Sequence, residues 1–352
     1  MKSQFKIEFA KLLDNTKTPS SLSQEEHIKA LRKLHDFVQP HIPSKLFRFR
    51  KCGIDEIISF EQGTIQMCIA EKFSDIYDSN IFYDYKSLSD RIESSYILAM
   101  SNVVRILKNN PKGLPDSNVK NKILELINSN ITDNEIINAV KIYYGNFIER
   151  IKSEIEKQEI WPRNNTLTKI GCFTERIDSK FMWDHYADGY KGFALEYDFR
   201  KWYMLDVNLY PIIYSNQMLD ATEMIDRICA FNYINSIQPE EANKKTFEFL
   251  KGQLLREYPI DLMYFTKIYL YKDRKEYSYE KEWRMLKFSF DENQDFASIP
   301  DKGYLRAIYY GLNIEPHYKS HLRTIAKTKG IKEYEVVINK NINKYSISIV
   351  PL

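Results

Sequence analysis

The spacing of apolar residues divides this chain into short period-two runs separated by blocks of helical period. Ile28, Leu31, Leu34 and Val38 recur at helical spacing after Ser23-Gln24-Glu25-Glu26, which has the form of a capping box, and Pro40 and Pro43 end that helix. Residues 45–50 read as a strand, 53–60 as a short helix and 64–70 as a second strand, before a loop at 73–78. From 85 to 160 no strand is expected. Ile97, Val103 and Leu107 share one helix face, Ile123, Leu124 and Ile127 a second, and Ile136, Ile137, Val140, Tyr144 and Phe147 a third. After Trp161-Pro162, strands are expected at 168–174, 192–197 and 212–214, with a short helix at 181–186. Residues 218–234 and 240–258 read as helices. Strands are expected again at 282–290, 305–310, 333–338 and 345–350, with a helix at 317–329.

Short strands interrupted by helical blocks predict an α+β fold rather than a doubly wound one. The division is an N-terminal helical segment (1–44), core (45–84), helical insertion (85–160), core (161–215), a second, smaller insertion (216–262) and the C-terminal part of the core (263–352).

Composition narrows the class. Of 352 residues, 43% are hydrophobic and 28% charged, the balance of a soluble globular chain. The 51 basic and 48 acidic residues leave a net charge of +3, which is no whole-chain signature of nucleic-acid binding. No apolar run is long enough to cross a bilayer. The charged, amphipathic start is unlike a signal peptide. Cys52, Cys68, Cys172 and Cys229 are widely spaced without a Cys-x-x-Cys pair, so a reduced, cytoplasmic location is expected and a structural zinc is not. Gly-rich dinucleotide, phosphate-loop, Gly-x-Ser-x-Gly and His-Glu-x-x-His motifs are absent, which argues against the enzyme classes built on them.

Three stretches set ionisable residues among bulky apolar ones, where an unpaired charge is costly: Leu46 to Arg50; Cys172 to Glu175 with Met182 to Tyr186; and Tyr279 to Arg284. Arg48 and Arg50, two apart on a strand, point to one face. They either clamp a phosphate or pyrophosphate or pair with carboxylates elsewhere. Glu280 and Glu282 share a face if their segment is extended, and raise each other's pKa there. Alternating charge on a solvated strand edge is the bland alternative. His185 among Phe181, Met182, Trp183 and Tyr186 is either a satisfied core histidine or part of a site. Asp75 and Asp78 brace a turn or, with the two glutamates, bind a divalent metal. Residues 267–287 hold seven Lys or Arg against four acids, interleaved with tyrosines, which is either ordinary surface or a nucleic-acid contact made by Lys272 and Arg274.

At these stretches the chain resembles the bacterial family known as domain of unknown function 2971. Phe47-Arg48-Phe49-Arg50 matches that family's aromatic-x-aromatic-Arg strand. The loop Phe73-Ser74-Asp75-Ile76-Tyr77-Asp78 keeps its two Asp but lacks its Asn and Pro. Thr174-Glu175, Met182 to Ala187, Lys191-Gly192 and Glu196-Tyr197-Asp198 match its middle signature, and Tyr279 to Arg284 its late one. A more distant resemblance is to mono-ADP-ribosyltransferases of the Arg–Ser–Glu type. Arg48 or Arg50, then Thr174, then Glu280-x-Glu282 occur in that order, with the spacing stretched.

The second resemblance implies a split mixed β-sheet core and an NAD-dependent ADP-ribosyltransferase acting on protein, RNA or DNA, a toxin or anti-phage effector with a regulatory partner such as an antitoxin. NAD is a substrate on this reading, and no resident metal or membrane is implied. Glu282 would stabilise positive charge at the ribose C1′, and Glu280 would orient or deprotonate the acceptor. Thr174 would support Glu282 or the ribose. Arg48 or Arg50 would hold NAD, with Trp183, His185 and Tyr186 around its nicotinamide half. The alternatives are a metal-dependent nuclease or phosphohydrolase using Asp75, Asp78, Glu280, Glu282 and His185, and a non-catalytic binding module.

Overall fold

A computed structural model describes residues 2–88, 167–202, 206–228, 244–257, 259–288, 294–339 and 346–352, with scattered positions between 90 and 153. The helices expected between 85 and 160, and residues 229–243 in the middle of the second insertion, therefore lie largely outside the described residues.

Helices α1 (Lys2–Asn15) and α2 (Gln24–Val38) open the chain. The capping box forms: the Ser23 hydroxyl accepts from the Glu26 N–H, and the Glu26 carboxylate accepts from the Ser23 N–H. Phe5, Phe9 and Leu13, four apart, form the buried stripe of α1.

The core follows as β1 (Leu46–Arg50), α3 (Ile54–Gln62), β2 (Thr64–Cys68), the two-residue β3 (Ile81–Phe82), β4 (Thr168–Thr174), α4 (Lys180–Tyr186), β5 (Phe193–Tyr197) and β6 (Val207–Pro211). Short strands β7 (Ile213–Ser215) and β8 (Leu219–Asp220) precede α5 (Lys244–Glu257), α6 (Tyr264–Lys267), β9 (Tyr271–Asp273) and α7 (Arg274–Tyr277). The chain closes with β10 (Glu282–Phe288), β11 (Phe296–Pro300), β12 (Leu305–Tyr310), α8 (Pro316–Lys329), β13 (Lys332–Ile338) and β14 (Ile347–Pro351).

The fold is α+β. Ten strands form one mixed sheet in the order β11-β2-β4-β1-β5-β12-β13-β14, with β10 paired to β4 and to β6. Most neighbours are antiparallel; β12 and β13 are parallel, joined through α8. β7 pairs β9 and β3 pairs β8 in two small parallel ribbons.

One junction positions the site. β10 runs along one edge of β4 for its whole length, from Glu282↔Thr174 to Phe288↔Thr168. The other edge of β4 passes from β2, paired at Cys68↔Ile170, to β1, paired at Phe47↔Thr174. β1 and β2 diverge from β4 between these two points, and the sheet opens there.

Two apolar cores flank the sheet. Phe47, Phe49, Met182, Trp183, Ala194 and Tyr309 pack on one side of β1. The larger core includes Leu46, Phe60, Phe173, Leu195 and Ile308. Arg48 and Arg50 alternate with Phe47 and Phe49 and so face away from the smaller core. Gly192, at the start of β5, admits no side chain, because a Cβ there would lie 2.0 Å from the Arg50 carbonyl oxygen. That close approach seats β5 against the end of β1 over the register Arg50↔Phe193 to Leu46↔Tyr197.

Candidate functional site

The opening between β1 and β4 is a cavity of about 340 Å³. Arg48 and Arg50 stand on one wall, Cys172 and Thr174 on β4, and Asp78, Lys272, Glu280, Glu282 and Arg284 on the other. All three stretches singled out in the sequence therefore meet at one place.

The expected common face of Glu280 and Glu282 arises differently from the expectation. The segment is not extended: Ser278–Glu280 is a 3-10 turn, Lys281 adopts a left-handed conformation (φ 47°), and β10 starts only at Glu282. The turn, not strand alternation, brings the two carboxylates together. Thr174 holds it, its hydroxyl donating to the Glu280 carbonyl oxygen and accepting from the Arg176 N–H at 3.0 Å. Thr174 thus supports the Glu280 main chain rather than the Glu282 carboxylate. The Tyr214 hydroxyl accepts from the Glu282 N–H at 2.8 Å.

Lys272 is the cation between the two glutamates. Its Nζ lies 2.8 Å from Glu280 Oε2, 3.0 Å from Glu282 Oε2 and 3.7 Å from Asp78 Oδ2. Arg284, fully buried, donates from Nε to Glu282 Oε1 at 2.7 Å, from one terminal nitrogen to Asp78 Oδ1 and the Tyr269 carbonyl, both at 2.8 Å, and from the other to Asp78 Oδ2. Tyr186 donates to the remaining oxygen of Glu280 at 3.0 Å. Three carboxylates thus face two cations in the interior, and neither cation is left unpaired.

The two glutamates differ in acidity. Burial pushes the Glu280 carboxyl up, and Lys272 only partly offsets it. Burial acts on Glu282 in the same sense, but Arg284 and Lys272 together outweigh it and hold that carboxyl down at about 2. For Lys272 and Arg284 burial opposes the charge, yet the surrounding carboxylates keep both well above their ordinary values. Two carboxyls with acidities pushed apart are the usual mark of divided acid–base roles.

The opposite wall is electrostatically unfinished. Arg48 is buried; one terminal nitrogen donates to the Gln66 carbonyl, its guanidinium carbon lies over the Phe173 ring (5.6 Å), and its other terminal nitrogen is buried without a partner among the described residues. Removal from solvent lowers its pKa. Among the described residues Arg50 makes no ion pair, and removal from solvent, then the like charge of Arg48, pulls it down to about 9. Two uncompensated guanidiniums facing a cavity suit an anion of the phosphate class.

Other expected residues are placed less directly. Trp183 does not reach the cavity. It is wholly buried, edge-on to Phe49 at 4.9 Å, with Nε1 donating to the Ile177 carbonyl at 2.8 Å, so it braces the β1 wall. His185 stacks on Phe181 at 3.7 Å and lines an adjoining groove, which shares Phe49, Arg50 and Tyr186 with the main cavity. Asp75 lines the cavity and turns its loop by accepting from the Tyr77 N–H at 2.9 Å. Of the two residues expected to make a nucleic-acid contact, Lys272 is buried, and Arg274 is exposed and donates to the Tyr214 carbonyl. Sequence reading names Lys272 only as a nucleic-acid contact and misses its place between the glutamates. Its one signal was position, on a short apolar run from Ile268 to Tyr271 that marks a buried segment.

Among the described residues no group of three or more His, Cys, Asp or Glu is arranged to hold a metal ion. The ammonium of Lys272 occupies the point where Asp78, Glu280 and Glu282 converge, so a metal there requires Lys272 to leave.

The model of the family described as "Protein of unknown function (DUF2971)" matches residues 182–285. The match begins at the Met182-Trp183 motif and takes in Tyr186, Lys272, Glu280, Glu282 and Arg284. Arg48, Arg50, Asp78 and Thr174 lie outside it. No curated protein and no solved structure matches the chain.

Proposed function

We propose that this chain cleaves NAD at the nicotinamide–ribose bond and transfers ADP-ribose to a macromolecular acceptor, on a core of ADP-ribosyltransferase type. The observation that carries the reading is the opposition, across one cavity, of two uncompensated arginines and a divided carboxylate pair.

On this reading the pyrophosphate lies against Arg48 and Arg50. The nicotinamide ribose extends toward Glu282, and the adenosine half, rather than the expected nicotinamide half, lies in the groove by His185. As the glycosidic bond breaks, its electron pair passes to the nicotinamide ring nitrogen and neutralises the pyridinium. Glu282, ionised throughout the physiological range, stabilises the cationic C1′. An acceptor lone pair bonds to C1′, and its proton passes to Glu280, whose raised pKa suits a base. Tyr186 orients Glu280, and Thr174 holds its turn. No step requires a metal. Protein, RNA and DNA remain the acceptor classes, and the toxin or defence role with a regulatory partner rests on the resemblance alone.

One observation favours a second reading, an anion-binding module without chemistry: the carboxylate oxygens are already engaged by Lys272, Arg284 and Tyr186. Calorimetric titration of NAD, with EDTA present, into wild type, Arg48→Met and Glu282→Gln, with nicotinamide release measured on the same samples, separates the readings, because a binding module releases none. The transferase reading expects NAD to bind wild type, Arg48→Met to weaken it, and inorganic pyrophosphate to compete. Absence of NAD binding in wild type would overturn it.

A further inference from the structure

Lys272 is the residue of this cavity whose placement the proposed chemistry does not yet explain. It sits on the three-residue strand β9, paired in parallel with β7. Its ammonium is drawn inward past Tyr277, whose ring centroid lies 4.3 Å away, and its side chain is only 5% exposed. A lysine stem is flexible and its head strongly hydrated, so such burial needs compensation from several carboxylates. Here Glu280, Glu282 and Asp78 provide it.

The distribution of those contacts is unequal. Glu282 has two cations, Lys272 and Arg284. Glu280 has one, Lys272, and on its other oxygen the neutral hydroxyl of Tyr186. Arg284 is tied to Glu282, Asp78 and the Tyr269 carbonyl, with no recorded bond to Glu280. Glu280 arrives from a turn and Glu282 from a strand, so the backbone alone does not hold the carboxylates at one distance.

We propose that Lys272 is a positioning residue: its ammonium draws the Glu280 and Glu282 carboxylates to one point and, as the only cation on Glu280 among the described residues, sets how readily Glu280 takes up a proton. The inference rests on the reading of this pair as acid–base machinery, but its test needs no NAD. The groups facing the pair are Lys272 from β9, Arg284 from β10, Tyr186 from α4, Asp78 from the loop before β3, Tyr214 from β7, Cys172 from β4, and Tyr277 and Tyr279 from α7 and the turn after it, with Arg48 and Arg50 across the cavity.

The experiment is a carbon-detected NMR titration of the glutamate side-chain carboxyls in ligand-free protein, for wild type, Lys272→Met and Lys272→Arg, with Glu280→Gln and Glu282→Gln assigning the signals. Loss of a cation at hydrogen-bond distance shifts a carboxyl by about 1–3 pH units. Lys272→Met is expected to move Glu280 upward by that amount and Glu282 by less, because Glu282 retains Arg284. Lys272→Arg is expected to return Glu280 toward the wild-type position. Should Lys272→Met fold poorly, a cycle with Glu280→Gln reads the same coupling: the double variant is expected to be more stable than Lys272→Met alone, since it strands no carboxylate. Unchanged Glu280 titration in Lys272→Met, or strictly additive losses in the cycle, would overturn the proposal. Failure of the protein to turn over NAD would count against the transferase reading and leave this result standing.

Discussion

Thr174 and Glu280 are joined by a hydrogen bond from the threonine hydroxyl to the glutamate carbonyl, across 106 residues of chain. This bond ties the end of β4 to the turn that carries Glu280, and the register Glu282↔Thr174 places the second glutamate beside the same residue. Thr174→Val keeps the shape and removes the hydroxyl, leaving the Glu280 carbonyl and the Arg176 N–H unsatisfied. It is expected to cost about 1–3 kcal/mol in denaturant unfolding, while Thr174→Ser stays near wild type. Equal stability of the valine and serine variants would remove Thr174 from this role.

Arg48 is expected to lower stability where it serves binding. Among the described residues one of its nitrogens is buried without a partner, so the free protein bears a poorly compensated charge there. Arg48→Met should leave the melting temperature unchanged or raise it, in spite of the lost bond to Gln66. It should also reduce affinity for pyrophosphate or NAD about tenfold or more, the value of one or two charge-assisted hydrogen bonds. A large fall in melting temperature would show that Arg48 is held for packing.

The two glutamates should bend the pH dependence of stability in opposite directions. Glu282 is depressed below its ordinary 4.5, so its contribution is complete above 4.5 and is lost as pH falls toward about 2. Glu280 is raised, so its protonated form favours the folded state below 4.5, and that advantage is lost as pH rises through its folded value. Urea midpoints measured across pH should show a flatter acid limb for Glu282→Gln. Glu280→Gln should gain on wild type as pH climbs above 4.5. Parallel curves for all three proteins would contradict the divided pair.

Much of this was legible before the structure, because it depended on local pattern. The capping box, the Phe-Arg alternation of β1, and the strands at 168–174 and 305–310 follow from spacing alone. β6 and β11 were missed: Asn208, Tyr210 and Pro211 break any clear alternation in one, and Phe296–Pro300 is short, exposed and paired only at the sheet edge. The arginines and glutamates announced a site because charge among aromatics needs a reason. Lys272 did not, since what gives it meaning is convergence with Asp78, nearly two hundred residues earlier in the chain. Trp183 misled for the converse reason: its neighbours in sequence belong to the site, yet its ring points into the core behind Phe49.

Helix α1 supports the site from behind. Trp283, between Glu282 and Arg284, stacks on Phe5 at 6.4 Å and donates to Glu175 at 3.0 Å, while Phe9 stacks on Tyr210 of the adjacent β6 at 5.8 Å. Phe9 is fully buried, so Phe9→Ala is expected to cost about 3–5 kcal/mol by denaturant unfolding. A loss below about 1 kcal/mol would mean that α1 is not part of the cooperative core.

The most direct test of the central claim is to incubate the protein with NAD labelled on its adenylate phosphate, with EDTA, lysate and nucleic acid, beside Glu282→Gln. Released nicotinamide and label retained on macromolecules are then quantified together. The account predicts equal amounts of both for wild type and a loss of at least about a hundredfold for Glu282→Gln, the scale of removing an electrostatic stabiliser of the transition state. Intact NAD with every acceptor, or release that Glu282→Gln leaves unchanged, would contradict it.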